Sequence, residues 1–215
     1  MTNPVDYHLR ELEIVRTAGD PRRNLPSNVK PGSRVLDVGC GMGQSLVAPE
    51  FLSCASRTGV DIDVSAIAKG KEKFPELDLR VSAAEQLPFQ DNSFDLCFSR
   101  VAIPYTDVHA ALAEMVRVTV SGGRLWVSLH SWQLEFHEIL AAFRAAKLRR
   151  LVDRVYVAAN SLFLGASGRC FARPWSGEFE SFQTGRRVSA ILSSLGCSKI
   201  TLLRDPFFVV QAIKD

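Results

Sequence analysis

Three alternating glycines, Gly39, Gly41 and Gly43, follow directly on the apolar run Val35-Leu36-Asp37-Val38. An apolar strand that passes into such a turn and then into a helix makes a ligand site. Glycine lets a ligand approach the main chain closely, and a helix start presents unpaired N–H groups. An ordinary tight turn is the plain alternative. The register decides which ligands fit. Dinucleotide-binding turns need Gly-x-Gly-x-x-Gly, but the place of the third glycine is held by Gln44, which weakens a nicotinamide or flavin reading. No Gly-Lys-Ser/Thr follows, so a phosphate-gripping loop is weaker still.

The elements that must carry this turn alternate. Tyr7–Val15 is a short amphipathic helix, followed by a linker with Pro21, Pro26 and Pro31. Gln44–Ser53 reads as the first core helix, with Pro49 in its first turns or kinking it. Arg57–Ile62 is a strand, and Asp63 caps the helix Val64–Phe74. Leu77–Ala83 and Ser93–Arg100 are further strands. Val108, Leu112, Met115 and Val116 mark a helix face, which Ser121-Gly122-Gly123 ends before the strand Arg124–His130. This alternation predicts an α/β fold: a Rossmann-like, doubly wound, mostly parallel sheet with ligands bound at the carboxyl ends of the strands. Trp132–Gly165 is a long helical stretch, Ala166–Gly185 is a loop or insertion, and Val188–Leu195 is one more helix ended by Gly196. Lys199–Leu203 and Phe207–Ile213 form a C-terminal antiparallel hairpin at a sheet edge.

At 215 residues the expectation is a single domain over 1–215, with an N-terminal helix and linker over 1–30 and a helical insertion or lid over 133–185. A chain of this size needs no disulfide or metal to fold, and no metal ligand is assigned. Cys40, Cys54, Cys97, Cys170 and Cys197, odd in number and set mostly in apolar runs, read as buried thiols in a reducing compartment. The net charge of +3 is mild and does not by itself point to nucleic acid. No secretory signal opens the chain, and no stretch reaches the roughly 18 apolar residues of a membrane span. The nearest, Val155–Ala166, is interrupted by Asn160 and Ser161. A cytoplasmic protein without a membrane partner, monomer or homodimer, is expected.

These residues resemble the class I S-adenosylmethionine-dependent methyltransferases from about Arg34 to His130. Val35–Gly43 looks like the family's first motif, and Asp61 sits where its ribose-binding acid ends the second strand. Ala84-Glu85-Gln86-Leu87-Pro88-Phe89 looks like its adenine-side loop. Asn92-Ser93-Phe94-Asp95 and Glu114–Val118 with Gly122-Gly123 resemble its lead-ins to strands four and five. The resemblance implies S-adenosylmethionine as cofactor, with S-adenosylhomocysteine as product, held by Asp37, Gly39, Gly41, Gly43, Gln44, Asp61, Ile62, Ala84, Glu85, Leu87, Ser99 and Arg100. Beside it stands the chemistry of the residues. The Asp61 carboxylate suits a vicinal diol, or simply caps a helix. Asp37 could orient the turn or, through water, hold the cofactor's ammonium. Main-chain N–H at Ala84 or Glu85 would meet an adenine edge, and Ile62 and Leu87 would sandwich the ring. The chain departs from the family at Ala83, where many members have an acid, and at Ser99–Tyr105, which lacks the frequent His.

Methyl transfer from a sulfonium needs alignment and exclusion of water, and a base only where the acceptor attacks while protonated. His130 at the end of strand five is the first candidate base, with Tyr105 beside it; a structural histidine is the alternative. Tyr105 and Trp132 could pack a flat or cationic substrate, and Tyr7 and His8, with Phe171 and Trp175, could form a lid. The expected activity is methylation of a small molecule at O, N or C. The basic positions Arg144, Lys147, Arg149, Arg150 and Arg154 keep a nucleic-acid or protein substrate as an alternative. Ala83 and the absent strand-four His keep an inactive cofactor-binding subunit as another.

Overall fold

The structure, a computed structural model, describes residues 4–17, 19–129, 148–204 and 208–215. Among these, seven strands form one sheet: β1 Arg34–Val38, β2 Ser56–Asp61, β3 Asp78–Val81, β4 Phe94–Arg100, β5 Thr119–Leu129, β6 Cys197–Leu203 and β7 Phe208–Lys214, in the order β3-β2-β1-β4-β5-β7-β6. The first five are parallel, and β7 runs antiparallel to both β5 and β6. The helices are α1 Pro4–Arg16, α2 Val64–Lys73, α3 Val108–Val118, α4 Leu148–Ser167 and α5 Gly185–Ser194. The expected Rossmann-like architecture is present, with the C-terminal hairpin at one edge.

Strand periodicity sorts the core into two layers. Leu36, Cys97, Leu125 and Val127 pack with Leu112 and Met115 of α3 and with Val188 and Leu192 of α5. Val35, Leu96, Phe98 and Trp126 pack on the other side with Leu12 and Val15 of α1, Ile67 of α2, and Phe51. Burial on both faces explains why these strands read as near-continuous apolar runs.

Four expectations are corrected. Gln44–Ser53 is not one core helix but two short 3-10 turns, Gln44–Val47 and Pro49–Phe51. Gly43 precedes the first in the left-handed region, and Pro49, lacking an N–H, begins the second. Gly122 and Gly123 do not end α3. That helix stops at Val118, and the glycines lie inside β5, where the pairing jumps from Phe94–Thr119 to Leu96–Arg124. A glycine bulge absorbs the extra residues, with Gly122 at φ +75°. Strand three is also shorter than Leu77–Ala83, at Asp78–Val81, and strand five starts earlier than Arg124.

Candidate functional site

The glycine turn is braced by the end of β2. The N–H groups of Gly39 and Cys40 both donate to the Val60 carbonyl, at 2.8 and 2.9 Å. The Gly41 N–H donates to Asp61 Oδ2 at 2.7 Å, and the Met42 N–H to Gln44 Oε1 at 3.1 Å. The turn therefore does not offer a row of open amides, as a helix start there would. Its use to a ligand is the close approach that a missing Cβ permits. Gly39 lines the cleft described below, whereas a Cβ at Gly43 would meet Leu77 Cδ1 at 2.8 Å, so Gly43 serves packing.

The other wall begins after β4. Val101 has φ +61°, a conformation costly for a β-branched residue. It turns the chain so that Ala102 closes on Gly39 and the turn Ile103–Tyr105 follows. Asp107 caps α3, accepting from the His109 and Ala110 N–H groups, and its own N–H donates to Glu85 Oε1 at 2.8 Å. The segment 82–91 is clamped from below. Leu87 N–H donates to Glu114 Oε2, and Arg117 pairs with Glu114 and donates to the Leu87 and Phe89 carbonyls. That contact with Arg117 holds the Glu114 carboxyl below its usual value.

A third wall is the strap 173–180. Asn160 of α4, fully buried, donates through Nδ2 to the Tyr156 hydroxyl and the Glu180 carbonyl, and accepts the Phe171 N–H at 2.9 Å. Glu180 pairs with Arg173 and Arg154, and Ser181 N–H donates to the Pro104 carbonyl. The three walls enclose a cleft of about 1000 Å³ at the carboxyl ends of β1, β2 and β4.

Of the residues singled out in the sequence, Gly39, Asp61, Ile62, Ala84, Glu85 and Tyr105 line this cleft together. Others lie elsewhere. Leu87 is buried in the core on the α3 side and does not line the cleft. Gln44 is buried and turned back on Met42. Ser99 is buried, and Arg100 is paired with Glu11 of α1 and donates to Ser45 Oγ. Gly41 does not line the cleft, its N–H being taken by Asp61. Trp175 is an exposed residue of the strap that does not line the cleft, its ring 6.1 Å from that of Tyr156. His130, Trp132 and the side chains of Tyr7 and His8 lie outside the described residues. Sequence reasoning missed Asp107, Arg173, Phe179 and Asn160. Asn160 left one signal, a polar interruption of an apolar helical run.

Asp37 is nine-tenths buried and more, on the α1 face of the sheet, and neither carboxyl oxygen has a hydrogen-bond partner among the described residues. Burial pushes its acid up to about 8; Arg100 opposes this and Asp61 adds to it.

A glycine turn after β1, an acid ending β2 and a cleft across the strand ends define a nucleoside-binding α/β protein. Residues 36–127 match the methyltransferase domain family Methyltransf_11. The chain is 34% identical over 131 residues to the demethylmenaquinone methyltransferase of Renibacterium salmoninarum, covering 60% of this chain and 53% of that protein. It is 32% identical over 127 residues to the malonyl-[acyl-carrier protein] O-methyltransferase of Erwinia billingiae, covering 58% and 49%. The chain thus spans about half the length of the curated relatives it matches. A solved S-adenosylmethionine-dependent methyltransferase of Thermotoga maritima, a possible histamine N-methyltransferase, superposes with TM-score 0.60 at 16% identity over 99% of this chain and 91% of that one. Residues 36–127 thus carry the likeness to a methyltransferase domain, and the fold around them is that of the class I S-adenosylmethionine-dependent methyltransferases.

The cofactor of that class is S-adenosylmethionine, and the residues present fit it. Asp61 keeps lone pairs for a diol, Ile62 and Ala84 offer apolar surface for a flat ring, and Asp37 is an orphaned carboxyl beneath the glycine turn. Among the described residues, Asp61, Glu85, Asp107, Glu178 and Glu180 outnumber the lining cation Arg173, a field that favours a positively charged ligand. Among the described residues, no helix is long and apolar enough to cross a membrane.

Proposed function

We propose that this chain is an enzyme that methylates a small molecule at O, N or C, using S-adenosylmethionine. The observation that carries the reading is the cleft of about 1000 Å³, at the upper end of small-ligand sites. The residues suited to a nucleoside lie on one side of it, and Tyr105, Asp107 and the strap on the other. The relatives named for demethylmenaquinone and malonyl-[acyl-carrier protein] support a small acceptor.

The bound cofactor would supply a methyl group already activated on a sulfonium. The chain's own part is placement and exclusion of water. Asp61 would hold the ribose hydroxyls, Ile62 and the main chain at Ala84 and Glu85 the adenine, and Asp37, through water, the ammonium. Tyr105, 53% exposed at the cleft, packs the acceptor and can hold a proton at its phenol oxygen; His130 is retained as a second candidate base. The strap covers the acceptor. Incubation with cofactor carrying a labelled methyl and a metabolite extract should yield a labelled small product. Label appearing only in macromolecules would overturn the proposal.

A further inference from the structure

A second cavity, of about 520 Å³, lies at the opposite ends of the strands from the cleft. One wall is the linker segment 28–33. The other is made by the start of β4, the bulged start of β5 and Ile213 near the end of β7. The linker is tied down, the Gly32 N–H donating to the Ser53 carbonyl at 2.8 Å and the Ala55 N–H to the Ser33 carbonyl at 2.9 Å. Val29 packs on the layer that holds Val35, Leu96 and Trp126. Arg124 pairs with Leu96 and Ile213 and, two residues before Trp126, shares that residue's α1-side face. Its side chain is thereby set under the linker, and the bulge 120–123 brings Ser121 into the same wall.

The charges of this cavity do not balance. Asp95 is the acid among its described lining residues, and Arg34 already saturates it. The Arg34 N–H, Nε and Nη2 donate to the carboxylate at 2.7, 3.1 and 3.0 Å, which holds that carboxyl below its usual range. Lys30 and Arg124 remain. Arg124 is half-buried, and among the described residues its guanidinium has no hydrogen-bond or ion-pair partner. Burial lowers its hold on the proton, and no carboxylate opposes that. Arg23, Arg100 and Arg117, also half-buried, each pair with a carboxylate. An arginine stays charged at neutral pH, and a cation drawn partly out of water is costly until it is paired.

We infer that this cavity binds a small molecule carrying an oxyanion head, phosphate or carboxylate, on a short apolar body. The guanidinium fork of Arg124 meets the head, because a planar fork donates to either oxyanion in two parallel hydrogen bonds. Lys30 adds a second charge, and the Ser33 and Ser121 hydroxyls are further donors. Val29 and Ile213 line the remaining space, which is larger than a bare ion needs and suits the apolar body. No residue of this cavity lines the cleft. The inference therefore goes beyond the methyltransferase reading, and its test needs no cofactor.

The probes are phenyl phosphate and benzoate, with benzamide as the uncharged counterpart, each titrated into the full chain and followed by calorimetry. Both anions should bind at one site per chain, the tighter of them identifying the head, and benzamide should bind at least about tenfold more weakly than benzoate. Arg124→Gln should weaken both anions about ten- to hundredfold. Lys30→Gln, at an exposed charge, should weaken them about two- to fivefold. Each anion at saturation should raise the melting temperature of the wild type and leave that of Arg124→Gln unmoved. Without anion, Arg124→Gln should melt no lower than the wild type, because it removes an unpaired cation; this separates lost binding from lost folding. A lower melting temperature would mean that Arg124 has a structural partner, and it overturns the inference. So do anion affinities unchanged in Arg124→Gln, equal affinities for benzoate and benzamide, or no binding of either anion.

Discussion

The Asp61 carboxylate is shared by two backbone donors, Gly41 N–H at 2.7 Å and Asp63 N–H at 2.9 Å. One side chain therefore fixes the glycine turn after β1 to the lead into α2, and it does so with the same group proposed to hold a ribose. Binding and local order are coupled at this residue.

Asp61→Ala should lower S-adenosylhomocysteine affinity by about a hundredfold and cost about 1–3 kcal/mol of stability, because two N–H groups lose a charged acceptor. Asp61→Asn, which keeps an oxygen for one donor and turns an amide on the other, should fall between. Calorimetry and urea denaturation of the three proteins check both parts.

Gly39 and Gly122 share a positive φ, +79° and +75°, but differ in surroundings. A Cβ at Gly39 would lie 2.1 Å from Ala102 Cβ, and at Gly122 it would meet nothing within 4 Å. Gly122→Ala should cost about 1–2 kcal/mol, from backbone strain alone. Gly39→Ala should cost about 3–5 kcal/mol and also lose cofactor binding, since it adds a clash between the cleft's two walls. Denaturant midpoints for the pair separate strain from clash.

Asp37 binds its proton more tightly in the folded protein, where burial holds it up to about 8, than in the unfolded chain at 3.8. The native state then carries the extra proton between these values, so stability is highest below pH 4 as far as this group goes, and falls as pH rises toward 8. The slope is at most about 1.4 kcal/mol per pH unit. Asp37→Asn should match the wild type near pH 4 and melt at a higher temperature above pH 8. Melting curves across that range test it; an equal gap at every pH would contradict it.

Asn160→Ala removes a buried side chain with three hydrogen bonds and should cost about 2–4 kcal/mol. Its more telling effect should be local. The strap should become sensitive to protease between Arg169 and Glu180, and methyl transfer to the acceptor should drop at least tenfold with cofactor affinity changed less than about threefold. Limited proteolysis and parallel binding and turnover assays read these separately.

What the sequence made legible was whatever depends on neighbours along the chain. The run into Gly39, Asp61 at a strand end, the cap at Asp63, the helix face from Val108 and the C-terminal hairpin are local patterns, and the structure holds them. Long-range partners were hidden. Arg100 reads as a cleft residue at the end of β4 until Glu11 of α1 pairs with it. Leu87 reads as a cover for a ring until Glu114 draws its N–H inward. Gly122 and Gly123 look like a helix stop, because a bulge and a helix end use the same residue for the same positive φ. Asp107 was missed, its tie to Glu85 depending on where β4 delivers the chain.

The strand order has a kinetic consequence. Among the described residues β6 joins the sheet through β7 alone, and β7 docks on β5 with Ile213 paired to Arg124. Closing so long a loop is entropically slow. The parallel half from β1 to β5 can assemble from nearer segments, while the hairpin must arrive afterwards. The strap lies in the chain between those two events, so the nucleoside side of the cleft should be in place before the acceptor side. During refolding, cofactor protection of β1 and β2 amides from exchange should precede protection around Asn160.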